Sequence, residues 1–163
     1  MLFDHIEEKE AVVRAALIEQ NGYKFYKMLS ERTSNKDAKD LFRRFAHDEQ
    51  RHLRTIENKY FPGVGFNDQI TEEELQIEHY IEKSGSADIF TKRINVEALV
   101  RIIDNPKKAL LIALDTERNS VEYFGNLAKR ARTEEGRKLY AELVEEEKDH
   151  VSALEAMLAK ASQ

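Results

Sequence analysis

Two Glu-x-x-His motifs stand in this chain, Glu49 to His52 and Glu147 to His150. At about 100° per residue, positions i and i+3 lie side by side on a helix, so each motif presents a carboxylate and an imidazole to the same partner. Glu19 and Glu117 complete a set of four carboxylates and two imidazoles. Oxygen and nitrogen donors of this kind suit first-row divalent cations, with iron the leading choice, manganese the second, and zinc able to substitute. Two of the Glu side chains would bridge two ions. The others and the two His would complete each shell and leave positions open for an oxygen species.

A lone Glu-x-x-His arises by accident in a chain that is 35% charged. The case for chemistry rests on the copy. Laying residue n on residue n+98 puts Ala11 on Ala109, Ala15 on Ala113, Glu19 on Glu117, Asn21 on Asn119, Leu29 on Leu127 and Leu41 on Leu139. Glu49 then falls on Glu147, His52 on His150 and Glu57 on Glu155, without a gap. The aromatics follow, with Phe25-Tyr26 on Tyr123-Phe124 and Phe42 on Tyr140. The period is too long for a solenoid, so the two copies are expected to pack on one another about a pseudo-two-fold axis. His5, His47 and His79 have no Glu three residues earlier and are read as surface or core filler.

The elements that must position these residues are helices. Asp4 with Glu7 forms a capping box opening a helix over about 4–32, and Ser34 with Asp37 opens a second over about 34–60. The run Phe61-Pro62-Gly63-Val64-Gly65 stops it, since Pro62 has no N–H to donate. Asp104-Asn105-Pro106 opens a third helix over about 105–132, and Thr133 caps a fourth over about 133–160. The crossover, 61–104, is long for a compact domain. It holds a short helix begun by the Thr71 and Glu74 capping box and ended near Ser84-Gly85-Ser86, and another over Asn95 to Ile103. Two hairpins joined by one long crossover are a standard wiring of a four-helix bundle, so residues 1–163 are read as a single all-α domain.

Within that bundle the spacing of three and four gives seams Phe42, Phe45, Glu49, His52, Ile56 and Tyr140, Leu143, Glu147, His150, Leu154, apolar except for the Glu and His. Glu19 shares a face with Val12, Ala15, Ala16, Tyr23 and Tyr26, and Glu117 with Leu110, Ala113, Val121 and Phe124. Four ionised carboxylates in an apolar core would cost far more than a domain's net stability, and two divalent cations would neutralise them. Asp48 and Glu146, each just before a motif Glu, can orient a His of the opposite hairpin or sit on solvated surface. Tyr26 can donate its hydroxyl to a carboxylate or serve as aromatic core; its repeat counterpart, Phe124, cannot donate. Glu145 and Asp115 lie off the seams.

Composition bounds the rest. The 163 residues carry 26 basic and 31 acidic side chains, a net charge of -5 that argues against nucleic acid as a partner. The complete lack of Cys excludes a thiolate zinc site, a cysteine nucleophile and a cysteine-ligated iron–sulfur centre within this sequence. The longest aliphatic run, Ala109 to Leu114, falls far short of the roughly 20 residues of a membrane span. The acidic start, MLFDHIEEKE, is unlike a signal peptide, and a cytoplasmic protein is expected.

Over its four long helices the sequence resembles the ferritin-like di-iron superfamily and, within it, the rubrerythrin-like group. The resemblance rests on Glu19 followed by Tyr23-Lys24-Phe25-Tyr26, on Asp48-Glu49-Gln50-Arg51-His52, on Glu117 followed by Val121-Glu122-Tyr123-Phe124, and on Glu146-Glu147-Lys148-Asp149-His150. It implies a ferritin-like four-helix bundle in which Glu19, Glu49, His52, Glu117, Glu147 and His150 bind two iron ions. It also implies a homodimer that reduces hydrogen peroxide or dioxygen. Two departures stand out. Rubrerythrins proper carry a rubredoxin-like module with four Cys, which this sequence lacks, so an external electron donor such as a rubredoxin-like protein is implied. They also carry a further Glu one turn after the third-helix ligand, where this chain has Ser120, which bears on peroxidase competence. Iron handling of ferritin type is the alternative. Against it, no fifth helix is expected after the fourth, and Gln50 stands where bacterioferritins hold haem with Met. A structural metal-binding bundle is the third reading.

Overall fold

Local capping sets where the helices begin. The computed structural model describes residues 6–60, 90 and 94–161, with side chains described from residue 11 onward. The helices are α1 (Ile6–Arg32), α2 (Lys36–Tyr60), α3 (Val96–Arg101), α4 (Pro106–Arg130) and α5 (Glu134–Ala161). Ser34 does not cap α2. Asn35 does, its Oδ1 accepting from the Ala38 N–H at 2.9 Å and its carbonyl accepting the first bond of α2 from the Lys39 N–H at 2.9 Å. Asn105 caps α4 by accepting from the Lys108 N–H at 2.8 Å, with Pro106 just inside the helix. Helix α4 ends at Arg130, short of the expected 132, because Ala131 turns to extended backbone (φ -60°, ψ 133°). Thr133 Oγ1 accepts from the Gly136 N–H at 3.0 Å and opens α5. Asn95 caps α3 through the Ala98 N–H at 3.0 Å. The expected pairing of Asp4 with Glu7, the Phe61–Gly65 turn and the short helix after Thr71 lie outside what is described.

Turns of a few residues join α1 to α2 and α4 to α5, so each pair runs antiparallel. The helices pack closely within each hairpin, while α1 meets α4 and α2 meets α5 across a wider gap. Long side chains fill that gap. Phe42, Phe45 and Ile56 of α2 and Tyr140, Leu143 and Leu154 of α5 are buried with the Glu and His of their seams. Each large apolar side chain buried this way contributes about 1.5–3 kcal/mol. The result is an all-α, four-helix bundle, and no described helix is long and apolar enough to cross a membrane.

Helix α1 is buried well beyond its expected seam. Val13, Leu17 and Phe25 are buried completely, on the side away from Glu19. Part of the crossover covers them: α3 packs on α1, Phe90 meets Phe25 edge to face at 5.4 Å, and Asn21 Nδ2 donates to Phe90 O at 2.9 Å. Tyr23, placed on the inward face by spacing, is only partly buried and lies beneath Lys27 Nζ.

Candidate metal centre

The six side chains singled out by the repeat meet between the hairpins. Glu19, Glu49, His52, Glu117, Glu147 and His150 are each at most 3% exposed. They form two overlapping groups, Glu19, Glu49, His52 and Glu147, and Glu49, Glu117, Glu147 and His150. Glu49 and Glu147 belong to both, and the two imidazoles lie roughly parallel, 6.2 Å apart.

Each imidazole turns Nδ1 inward. His52 Nδ1 faces Glu147 Oε1 at 3.0 Å and Glu19 Oε2 at 3.2 Å. His150 Nδ1 faces Glu49 Oε1 at 3.1 Å, Glu117 Oε1 at 3.3 Å and Glu147 Oε2 at 3.4 Å. One N–H cannot serve three carboxylates. Glu19 Oε1, Glu49 Oε1, Glu117 Oε2 and both oxygens of Glu147 are buried with no hydrogen-bond partner among the described residues. Two donors bound about 2.1 Å from one cation at right angles lie ~3.0 Å apart, close to the spacing of these atoms. Orphaned oxygens, nitrogen-to-oxygen spacing and a charge of four carboxylates all fit a pair of divalent cations, and carboxylate with imidazole fits a first-row metal.

The outer nitrogens are held across the hairpins. His150 Nε2 lies 3.0 Å from Asp48 Oδ2, and His52 Nε2 pairs with Glu146 Oε2. These partners fix the ring orientation that sends Nδ1 inward. Tyr26 Oη donates to Glu117 Oε1 at 2.6 Å, and Phe45 stacks on the His150 ring at 4.0 Å. Glu145, Asp115 and His47 are exposed, while His5 and His79 lie outside the described residues.

The electrostatics are those of a crowded buried anion. Burial, then the charge of Glu147, pushes Glu19 well above the usual carboxylate range, and burial with Glu19 and Glu117 does the same to Glu49. Glu117 is pushed up to about 8, by burial first and by Glu147. Burial and Glu49 oppose ionisation of Glu147, yet the polar groups of Glu117, His150 and His52 beside it hold it below its ordinary value. Burial works against a charged His52, but Glu147 and Glu49 raise it to about 9. His150 rises too, against burial, through Asp48, Glu117, Glu147 and Glu49. Burial and the Glu117 charge keep Tyr26 a neutral phenol, able to donate. Without metal, protons occupy the places a cation would take.

Two contributors escaped the sequence reading. Gly22 sits three residues after Glu19, and a Cβ there would come within 3.2 Å of Glu49 Oε2, so the missing side chain admits that carboxylate. A glycine inside an otherwise helical run, one turn from a candidate ligand, was the available signal. The other is Arg51, which bridges the two outer carboxylates.

The family model for rubrerythrin matches residues 10–158. The chain belongs to the rubrerythrin family. No curated protein matches it by sequence. Among solved structures, CopM in the Cu(II)-bound form is similar to this rubrerythrin-family chain over 91% of its length and 93% of CopM's, with a TM-score of 0.62 and 11% identity. That likeness is one of fold. The rubrerythrin-family assignment covers the four long helices, and with no Cys these 163 residues hold no rubredoxin-type four-cysteine site.

Tyr26→Phe tests the anchoring of Glu117. The ring would keep its packing against Phe42 at 6.1 Å and Phe45 at 5.2 Å, and Phe124 shows phenylalanine at the repeat-equivalent place. Loss of the hydroxyl is expected to weaken by roughly 10-fold or more any metal uptake at the Glu117 and His150 end of the cluster, leaving affinity at the His52 end nearly unchanged. Calorimetric titration of the metal-free variant with Mn(II) reads both.

Proposed function

We propose that this chain holds two iron ions through Glu19, Glu49, His52, Glu117, Glu147 and His150 and reduces hydrogen peroxide or dioxygen with electrons from an external donor. The observation that carries this reading is the set of inward Nδ1 atoms facing two and three carboxylate oxygens at 3.0–3.4 Å, amid buried oxygens with no partner. Manganese and zinc are expected substitutes for iron.

Bound iron supplies the redox change that an oxygen species requires and amino-acid side chains do not. The chain's own residues supply the rest. Asp48 and Glu146 hold Nε2 of His150 and His52, which aims both Nδ1 lone pairs at the interior. Tyr26 fixes Glu117 through its hydroxyl at 2.6 Å. Phe42, Phe45, Ile56, Phe124 and Leu154 keep bulk water away, which strengthens each electrostatic interaction within. Ser120 Oγ donates to Thr116 O at 3.0 Å, so the turn after Glu117 contributes no carboxylate. Among the described residues the six donors are therefore a fixed set, with no carboxylate one turn after Glu117 to exchange as the redox state changes.

Because these 163 residues hold no Cys, the proposed electron donor lies outside them, a rubredoxin-like one by analogy with the family. A cytoplasmic homodimer is the expected assembly, and equilibrium sedimentation reads it. Stopped-flow mixing of the di-ferrous protein tests the function: oxidation by hydrogen peroxide at least 10-fold faster than by dioxygen is expected. Inertness toward both would end the oxidoreductase reading. Faster reaction with dioxygen, with ferric iron accumulating beyond two per chain, would support iron handling instead.

A further inference from the structure

The two carboxylates behind the histidines share one cation. Arg51 Nη2 donates to Glu146 Oε1 at 3.0 Å and lies 3.6 Å from Asp48 Oδ1. Their other oxygens face the imidazoles, Asp48 Oδ2 toward His150 Nε2 at 3.0 Å and Glu146 Oε2 toward His52 Nε2. The contacts form an unbroken chain running His52, Glu146, Arg51, Asp48, His150, and it passes between α2 and α5 three times. The internal repeat places Asp149 where the second hairpin would need an equivalent of Arg51, so one guanidinium serves both halves.

From this geometry we infer that Arg51 is a positioning residue that couples the orientations of His52 and His150, and with them the loading of the two metal ions. The inference rests on the two-metal reading above. An isolated ion pair as exposed as this one, with the Arg51 side chain 51% accessible, contributes little to stability. A guanidinium is different when each carboxylate it holds is also bound to a buried imidazole, because moving it releases both rings. The planar, forked donor set of Arg can engage two carboxylates in one orientation, where Lys offers a point charge. Arg51, Asp48, Glu146 and His150 line a solvent-open cleft of about 370 Å³ with Arg44 and Asp149, so shortening Arg51 opens no interior void.

The test is titration of the metal-free protein with Co(II), read by calorimetry and by visible ligand-field absorption, with circular dichroism reporting the fold. The unmodified protein is expected to bind two Co(II) per chain. Arg51→Gln is expected to weaken both by roughly 10-fold or more and to shift the absorption of both, while the metal-free melt stays unchanged. Arg51→Lys should recover part of the loss. Asp48→Asn and Glu146→Gln should be non-additive with Arg51 present and additive in the Arg51→Gln background. Unchanged affinity and absorption in Arg51→Gln, against two ions bound by the parent, would overturn the clasp alone. A parent chain that takes up no Co(II) would overturn the two-metal reading and the clasp with it.

Discussion

Replacing Glu147 with Gln is expected to abolish tight binding of both proposed ions while leaving the metal-free bundle folded. Glu147 belongs to both groups of donors, facing His52 Nδ1 at 3.0 Å and His150 Nδ1 at 3.4 Å, and neither oxygen has a hydrogen-bond partner among the described residues. Its loss removes a charge from each ion at once, so a fall of 100-fold or more in affinity is expected, beyond the roughly 10- to 100-fold typical of an outer partner. The metal-free chain responds less. Relief of Glu19 and Glu117, which Glu147 raises by repulsion, offsets part of what is lost with the Glu117, His150 and His52 neighbours that hold Glu147 below its ordinary value. The same substitution thus costs the metal-loaded state far more than the metal-free one. Mn(II) calorimetry and thermal melts with and without metal read the difference; a Glu147→Gln protein that still binds two Mn(II) tightly would remove the shared-carboxylate geometry.

The second large effect is on pH dependence without metal. Glu117 rises from 4.5 to about 8 and His52 from 6.5 to about 9 on folding, so between pH 4.5 and 9 the folded chain binds more protons than the unfolded one. Stability must then fall as pH rises across that window. The Glu117 contribution is fully present below pH 4.5 and lost through pH 8; that of His52 is present below 6.5 and lost through 9. Groups held below their ordinary values, Glu147 and Asp48, act with the opposite sign only at more acidic pH. The metal-free protein is expected to lose several kcal/mol between pH 5.5 and 8.5, a drop in Tm of roughly 10 °C. Cations replace the protons, so metal affinity rises over the same range and the metal-loaded protein should show no such decline. Melts at the two pH values, with and without Mn(II), decide it; a metal-free Tm that climbs with pH would contradict the buried-carboxylate account.

Much of this was legible in the residue pattern because helices translate spacing into faces. Glu49 and His52 interrupt an apolar seam, as do Glu147 and His150, and the 98-residue offset carries Glu19 onto Glu117; the burial of all six follows from those regularities. Helix starts were legible where a second signal fixed the cap, as where Pro106 follows Asn105. The start of α2 was not, because Ser34 and Asn35 both offer a capping side chain, and the first helical bond, Lys39 N–H on Asn35 O, falls on Asn35.

Sequence by itself determined an all-α bundle, its inward seams and which carboxylates and imidazoles share it, since these depend on contacts within a helix turn. Only the tertiary structure decided which nitrogen of each His faces inward, that Asp48 and Glu146 reach across to the opposite hairpin, and that Tyr26 holds Glu117. It also decided that Phe90 and α3 of the crossover cover the far side of α1. Each of these joins residues from different helices or from the crossover, and periodicity along one helix carries no information about its rotation and depth relative to another.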